Sequence, residues 1–321
     1  MKKTDNTLNI ITASTFKGIG RAWIIKNFQE KRTEDDIIEL LNYKNNCVTK
    51  YEFKERKQNI RNQLNSIYKE IDGFNTTAIG DDDFPKYSGG VKASEQPIVL
   101  FYKGNLDILQ INNSKISVIG VLNPSEDIEK REREIVKYLV KNNFTIVSGL
   151  ANGCDSIAHQ ETIINNGKTI AILPSPLNNV LPKSNTKLAN EILKNDGLLI
   201  TEYYTNISSR YELSARYIER DRLQALYCDC VLLTASYSPN DVGNDSGSRH
   251  AMSKAKEYSI KRAVMYNENT DINNSMFDLN RQYIKQDNFT TIVDDKNLDT
   301  INILFEQIIK DKEVNFLPSL F

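Results

Sequence analysis

The 321-residue sequence lacks an excess of positive charge, because 41 Lys and Arg are balanced by 42 Asp and Glu, for a formal net charge of −1. A chain with this balance does not bind polyanions through its overall charge, so any nucleic-acid binding has to come from a local patch. The hydrophobic fraction of 40% and the charged fraction of 26% are ordinary for a folded protein with a sizeable core.

Cysteine and histidine are scarce. The 4 Cys form no CxxC pair, which argues against a structural zinc site or a disulfide scaffold, and we interpret them as reduced, mostly buried thiols. The 2 His, His159 and His250, cannot be placed in a catalytic set with a serine or a cysteine. Carboxylates lie near predicted strand ends (Asp155, Glu202 and Asp221), but no spacing forces an acid–base pair. The sequence therefore predicts no enzyme activity, no metal and no cofactor.

Long apolar runs are missing as well. The first residues carry no apolar signal stretch, and no run of roughly 18 apolar residues occurs anywhere in the chain. We expect a cytoplasmic protein that does not contact a membrane.

The pattern of apolar residues changes near residue 98. Residues 1–80 carry apolar residues at helical intervals, which predicts a small helical N-terminal domain. Residues 81–97 form a connector punctuated by Gly and Pro. Beyond it, short apolar runs alternate with amphipathic segments, at 98–102, 116–120, 144–148, 169–173, 198–201, 230–235, 263–266 and 290–293.

This alternation predicts an α/β fold with a mostly parallel sheet covered by helices on both faces. The runs are almost continuously apolar, as strands buried on both faces should be. We place the sheet domain at 81–270 and expect 271–321 to pack on it as a C-terminal extension.

Ligands of an open parallel sheet bind beyond the carboxyl ends of its strands. One loop there begins with Gly120, and Ser125 can cap the helix that follows. The next has Ser148, Gly149 and Gly153 at a strand-to-helix turn, where backbone N–H groups can make an anion site. It lacks the Gly-Lys-Ser/Thr ending of a nucleotide-hydrolysing phosphate loop and the GxGxxG spacing of dinucleotide folds. A tight turn needed only for packing is the alternative.

Two further loops are expected at the same edge. One spans 173–185, and the other spans 244–249 and opens a helix with hydroxyls, a glycine and an arginine. Several Gly- and Ser-rich helix starts on one edge together predict a phosphate or polyanion ligand.

A cluster of arginines lies at 216–222. Arg216 and Arg220 share a helical face, and Arg222 points elsewhere. The cluster is either a bidentate phosphate clamp or a surface lattice of ion pairs with Glu219 and Asp221.

The order of these motifs resembles the DNA-processing protein A family (DprA/Smf). The resemblance covers well over half of the chain, and its most recognisable part is Val-Ser-Gly-Leu-Ala-Asn-Gly-Cys-Asp-Ser-Ile-Ala-His at 147–159. The other matching segments lie at 84–85, 97–106, 116–124, 167–173, 182–185, 197–203, 220–222 and 246–248.

The resemblance implies an extended Rossmann-like fold and a basic pocket that holds single-stranded DNA at the strand ends. It also implies a homodimer, a role in natural transformation, and a RecA-type recombinase that the protein helps to load onto DNA. The hairpin at 16–20 is similar to those of helix-hairpin-helix modules. The candidate residues for phosphate and DNA binding are Gly120, Ser148, Gly149, Asn152, Gly153, Lys168, Lys183, Asn185, Arg220, Arg222, Ser246, Gly247, Ser248 and Arg249.

The sequence departs from the family pattern at this site. Leu122 and Asn152 stand where the family usually has arginine, and Asp221 stands where it usually has asparagine. Each lost phosphate contact should weaken binding and flatten its salt dependence. Two alternatives therefore stay open beside a non-catalytic DNA binder: a sensor for a nucleotide or nucleotide-derived signal, in defence against mobile DNA for example, and a scaffold that acts only through a protein partner.

Overall fold

A computed structural model describes residues 5–44, 47–70, 72–239 and 247–316. Within them, nine strands form one mixed sheet in the order β1-β2-β6-β5-β4-β3-β7-β8-β9. The strands are β1 (Asn75–Ala78), β2 (Val99–Gly104), β3 (Lys115–Ile119), β4 (Thr145–Ser148), β5 (Thr169–Ile172), β6 (Leu198–Thr201), β7 (Cys230–Leu233), β8 (Lys261–Met265) and β9 (Thr290–Val293).

Helices alternate with most of these strands, so the α/β prediction is confirmed. The helices are α1 (Asp5–Ser14), α2 (Arg21–Asn27), α3 (Glu34–Tyr43), α4 (Lys50–Glu70), α5 (Glu126–Lys141), α6 (Cys154–Ile164), α7 (Thr186–Lys194), α8 (Arg210–Leu226), α9 (Ser248–Glu257), α10 (Glu268–Asp271), α11 (Asp278–Gln286) and α12 (Asp299–Phe316). In this described part of the chain, no helix is both long and apolar enough to cross a membrane.

Strand β1 lies inside the segment expected to be helical, and that expectation is wrong for its last residues. Asn75–Ala78 pairs antiparallel with β2, and Thr76 and Thr77 are buried. A four-residue polar strand gives no periodic signal of its own, because its stability comes from pairing with a strand more than twenty residues away. At the other end, β9 pairs with β8, so the sheet continues past residue 270.

Successive residues of the strands face opposite sides of the sheet, and each side has its own apolar core. Tyr102 of β2 and Ile200 of β6 belong to one cluster, which packs α5, α8, α9 and α12. Phe101 and Leu199, their neighbours in sequence, belong to the other cluster, which packs α1 to α4 and α7. The N-terminal helices therefore share a core with the sheet, and Phe74 stacks on Phe101 with 5.9 Å between ring centroids.

The path of the chain creates a crevice. From β3 the chain moves outward through β4, β5 and β6, then returns to place β7 on the other side of β3. β3 and β7 are parallel neighbours, so the loops that follow them diverge at their carboxyl ends. Such a switch point is where ligands of open α/β sheets bind.

Candidate functional site

A pocket of about 500 Å³ opens at the switch point between β3 and β7. This volume lies within the range of small-molecule sites. The lining comes from the loops after β3, β4, β5 and β7 and from one face of α8. Its residues are Ile119, Gly120, Val121, Leu122, Asn123, Ala151, Asn152, Asp155, Pro182, Tyr217, Arg220, Asp221, Gln224, Tyr237, Gly247 and Ser248.

The turn after β4 is held in a conformation that only a few residue types tolerate. Gly153 has φ +74° and ψ −131°, and a Cβ atom there would lie 2.3 Å from the carbonyl oxygen of Val121. Leu150 also has a positive φ, of 59°. The Ser148 hydroxyl is buried and donates to the carbonyl of Val118 at 2.7 Å, so it ties β4 to β3 and does not face the pocket.

The backbone N–H groups of this turn already have an anion. Asp155 Oδ2 accepts from the N–H groups of Gly149 at 3.1 Å and of Ala151 at 3.3 Å. The sequence predicted that this turn would offer such groups to a ligand phosphate, and this is corrected. The cradle exists, but a carboxylate of the chain itself fills part of it.

Arg220 and Asp221 of α8 form the floor of the pocket with Asp155, and all three are buried. The Arg220 guanidinium lies 3.7 Å from Asp155 Oδ2, and its Nε lies 3.1 Å from Asp221 Oδ1. Gly149 makes room for it, since a Cβ atom there would lie 1.1 Å from an Arg220 nitrogen. Burial raises the pKa of Asp155, and it raises the pKa of Asp221 to about 7 although Arg220 opposes the rise.

Above the floor, the walls are aromatic and apolar. Tyr217 and Tyr237 line the pocket together with Pro182 and Leu122, and Leu122 is 59% exposed. Sequence reasoning did not select Tyr217, Tyr237 or Gln224. The spacing of Tyr217, Arg220, Asp221 and Gln224 on one helical face was the available signal, because i, i+3, i+4 and i+7 share a face.

The rim carries polar groups from the loop after β5. Asn185 donates to the carbonyl oxygens of Leu150 and Ala151 at 2.9 and 3.1 Å, so it braces the neighbouring turn. Asn152 accepts from the Ser184 hydroxyl at 2.9 Å, and Lys183 beside them is exposed.

Helix α9 begins at the same pocket. Gly247 lines it, and the Ser248 hydroxyl donates to the carbonyl of Gly120 at 3.1 Å. Gly120 is packed closely: a Cβ atom there would lie 2.2 Å from the Thr234 hydroxyl. Ser246 lies outside the described residues. Arg249 turns away from the pocket and lines a second groove of about 330 Å³ between α9 and α11.

Besides Ser148 and Arg249, two more predicted site residues lie away from the pocket, and their predicted place is corrected. Lys168 precedes β5, at the amino edge of the sheet, where its ammonium pairs with Asp196 at 2.7 Å. Arg222 is buried and its charge is used internally, in ion pairs with Glu202 and with Glu219, the second at 3.3 Å. For Arg222 the predicted ion pair with Glu219 is present, but its second partner is Glu202 and not Asp221, and the lattice is buried and not on the surface.

Three titratable groups beneath the pocket are fully buried. Burial raises the pKa of Glu132 well above its usual value and does the same for the Cys154 thiol, while it lowers the pKa of His159 to about 3. The His159 ring bonds to the Thr169 hydroxyl at 2.6 Å. His159 and Cys154 therefore resemble inert core groups more than a base and a nucleophile.

Comparison with known proteins places these features in context. The family model for DNA recombination-mediator protein A matches residues 75–300. A curated relative, DNA processing protein DprA of Streptococcus pneumoniae, is 34% identical over 167 residues, which are 52% of this chain and 56% of that protein. Protein Smf of Borreliella burgdorferi is 31% identical over 147 residues, which are 45% of this chain and 44% of the relative. The chain thus spans about half the length of the curated relatives it matches.

Solved structures agree with this fold. DNA processing protein A from Streptococcus pneumoniae superposes with a TM-score of 0.67 and 25% identity, covering 91% of this chain and 95% of the other. A structure of DNA processing protein A from Helicobacter pylori, solved to study its single-stranded DNA binding mode, has a TM-score of 0.56 and 22% identity, covering 74% and 98%.

Proposed function

The chain belongs to the DNA recombination-mediator protein A family, and on that premise we propose that its carboxyl-edge pocket binds single-stranded DNA. The observation that carries the proposal is the 500 Å³ pocket at the β3/β7 switch point, formed by the segments that also carry the family motifs. The Helicobacter pylori protein of the same fold is a single-stranded DNA binder by its description, which supports the same ligand here.

The distribution of charge indicates how DNA would lie. Among the lining residues that the structure describes, Arg220 is the cation and Asp155 and Asp221 are the anions, so the floor does not suit a phosphate. The rim does, because Lys183 is exposed there and the amino-terminal end of α9 carries the positive end of its helix dipole. In this proposal the phosphates cross the rim and a base points inward.

The cellular role we propose follows the family: DNA processing and uptake in natural transformation, with loading of a RecA-type recombinase by a homodimer. We also propose that the protein is not an enzyme. The low pKa of His159 and the raised pKa of the Cys154 thiol support this, because neither group is poised for proton transfer or nucleophilic attack at neutral pH.

The test compares two lysines at opposite edges of the sheet. Lys183→Ala removes a cation from the rim, and Lys168→Ala removes one from the amino edge. Fluorescence anisotropy with a labelled single-stranded oligonucleotide at low salt should show weaker binding for Lys183→Ala only. The slope of log affinity against log salt should fall by about 0.7 for that variant, the value for one lost phosphate contact on a single strand.

Equal loss in the two variants would mean that DNA does not follow the carboxyl edge. No binding by the unaltered protein at low salt would overturn the proposed function itself.

A nucleotide-signal sensor is the second candidate, and one observation favours it: the pocket is the size of a mononucleotide site and has few cations for a polyanion. Isothermal titration calorimetry with a panel of nucleotides separates the two. A nucleotide that binds and competes with the oligonucleotide favours the sensor, whereas DNA binding with no nucleotide binding removes it.

A further inference from the structure

Asp221 directs one of its carboxylate oxygens into the pocket. Its Oδ1 faces Arg220 Nε at 3.1 Å. Oriented to satisfy both ends of its amide, Gln224 donates to the same Oδ1 at 3.1 Å and accepts from the Gly149 N–H at 3.0 Å. Oδ2 faces Gly247, since it would lie 3.7 Å from a Cβ atom there. The ion pair with Arg220 and the hydrogen bond from Gln224 thus hold Oδ1, and no group of the described residues donates to Oδ2, which faces the pocket beside Gly247.

The carboxylate excludes one class of ligand group from the floor. A phosphate or a carbonyl oxygen placed against Oδ2 would bring two acceptors together in a site shielded from water, where repulsion is strong. A group with an N–H donor gains a hydrogen bond to a charged acceptor instead, which is among the stronger hydrogen bonds in proteins.

The walls define the shape of the ligand group. Tyr217 and Tyr237 provide aromatic surface on the lining, and Pro182, Val121 and Leu122 provide aliphatic surface. Planar bases stack favourably on aromatic side chains whatever their sequence. A base fits the walls, and the floor then selects among bases by the group that reaches Oδ2.

Resting on the proposed DNA binding, we infer that Asp221 is a specificity-determining residue: the pocket selects a base whose exocyclic amino group donates to Asp221 Oδ2, and it rejects bases that present a carbonyl there. Cytosine presents its N4 amino group, which is a known partner of Asp and Glu in nucleic-acid readout. Uracil and thymine present O4 at the same position. A site built around a buried hydrogen-bonding group discriminates strongly against a ligand that leaves the group unpaired.

The test compares oligodeoxycytidine with oligodeoxyuridine, which differ at the amino or carbonyl group and at the adjacent ring nitrogen. Binding is measured at about pH 8, above the pKa of about 7 that burial gives Asp221, so that the carboxylate is ionised. We expect oligodeoxycytidine to bind about tenfold more tightly, the scale of one base-reading contact.

Asp221→Asn is the informative variant, because the amide can turn its NH2 group toward a carbonyl. We expect the cytosine-to-uracil ratio to fall toward one and uridine binding to improve. Asp196→Asn is the matched control: it makes the same change at the exposed amino edge, where Asp196 pairs with Lys168, and should leave the ratio unchanged.

A ligand-side variant covers the case in which Asp221→Asn does not fold. An oligonucleotide of 2-pyrimidinone, which has hydrogen in place of the amino group, should bind the unaltered protein more weakly than oligodeoxycytidine, because it offers Oδ2 no donor.

The outcomes separate the inference from the proposed function. Equal binding of the cytosine and uracil probes, or an equal gain for both in Asp221→Asn, overturns the inference and leaves DNA binding intact, since removal of charge alone strengthens both. Absence of binding for every probe overturns both.

Discussion

The two edges of the sheet use their charged residues differently. At the amino edge, each of three lysines has a partner: Lys168 pairs with Asp196, Lys312 pairs with Asp229 at 3.0 Å, and Lys115 donates to the carbonyl of Gln110 at 2.6 Å. These contacts close the ends of strands and of α12 against each other. Nothing about them requires a ligand, and their role is structural.

At the carboxyl edge, polar groups are buried with incomplete pairing. The Glu132 oxygens have no N–H or O–H donor in suitable geometry within the described residues and lie beside the Cys154 thiol, a weak donor. The Nε of Arg220 lacks an acceptor in suitable geometry although Asp221 lies beside it. Two carboxylates share one guanidinium, and the neighbouring turn contains a leucine with positive φ. Such features cost stability, and they concentrate where function needs them. The number of charges at an edge is therefore a poorer guide to function than the partners those charges have.

The largest expected effect comes from replacing a glycine at the carboxyl edge of the sheet. Gly153→Ala combines a backbone conformation reserved for glycine with a Cβ atom 2.3 Å from the Val121 carbonyl. Each of these costs about 1–3 kcal/mol, so we expect a loss of about 3 kcal/mol or more in the free energy of unfolding and loss of DNA binding. Urea denaturation and oligonucleotide anisotropy measure the two effects.

Gly73→Ala is the control for this variant. Gly73 has the same φ of +74°, but a Cβ atom there meets only the Lys103 side chain at 3.8 Å. It precedes β1, away from the pocket. It should cost about 1–2 kcal/mol of stability and leave DNA affinity unchanged. A similar stability loss in the two variants would show that close packing between the loops after β3 and β4 contributes little.

The second-largest expected effect is a gain in the free energy of unfolding when Glu132, at the carboxyl edge, is replaced. Glu132 is fully buried, and burial holds its folded-state pKa well above the ordinary 4.5. The protonated form is therefore favoured by folding. The protonated carboxyl group therefore makes its full contribution to the free energy of unfolding below about pH 4.5. This contribution is lost as the pH rises through the folded-state pKa. Glu132→Gln cannot lose a proton, so we expect it to be more stable than the unaltered protein at about pH 8, by about 1–3 kcal/mol.

Urea denaturation across this pH range measures the difference. Glu134→Gln, on the same helix and 56% exposed beside Lys137, should change stability little at any pH. If Glu132→Gln is no more stable than the unaltered protein at about pH 8, the carboxyl group has a partner that compensates for its burial.

Sequence patterns predicted the parallel part of the fold well, for a physical reason. Strands buried on both faces have to be almost continuously apolar, and β6, which is buried throughout, occupies the same residues as the predicted run at 198–201. The run at 230–235 ended two residues too late, because β7 stops at Leu233. The edge strand β1 was not predicted, because Asn75, Thr76 and Thr77 have no apolar pattern and depend on β2 for their hydrogen bonds.

At the site, the sequence predicted positions better than partners. Gly120, Gly149 and Gly153 lie at the pocket or in its walls because close approach of loops needs glycine, and that need shows in the sequence. One partner of Arg222 is Glu219, three residues away and predicted from the sequence, but the other is Glu202, twenty residues away and after a different strand. Local spacing does not reveal which carboxylate neutralises an arginine, so it does not reveal which arginine is left for a ligand.

The smallest expected effect is at the amino edge and tests the other half of the comparison. Lys168 and Asp196 form an exposed ion pair, with 42% and 60% of their side chains accessible. Exposed pairs contribute about 0.2–1 kcal/mol, because water and salt screen the attraction and the paired side chains lose freedom. A double-mutant cycle with Lys168→Ala and Asp196→Asn should give a coupling energy in this range by urea denaturation. Asn is the suitable replacement because residue 196 has a φ of 56°, which asparagine tolerates. Oligonucleotide affinity should stay constant through the whole cycle. A loss of affinity that follows Lys168, with or without Asp196, would show that nucleic acid also reaches the amino edge and that its paired charges are not only structural.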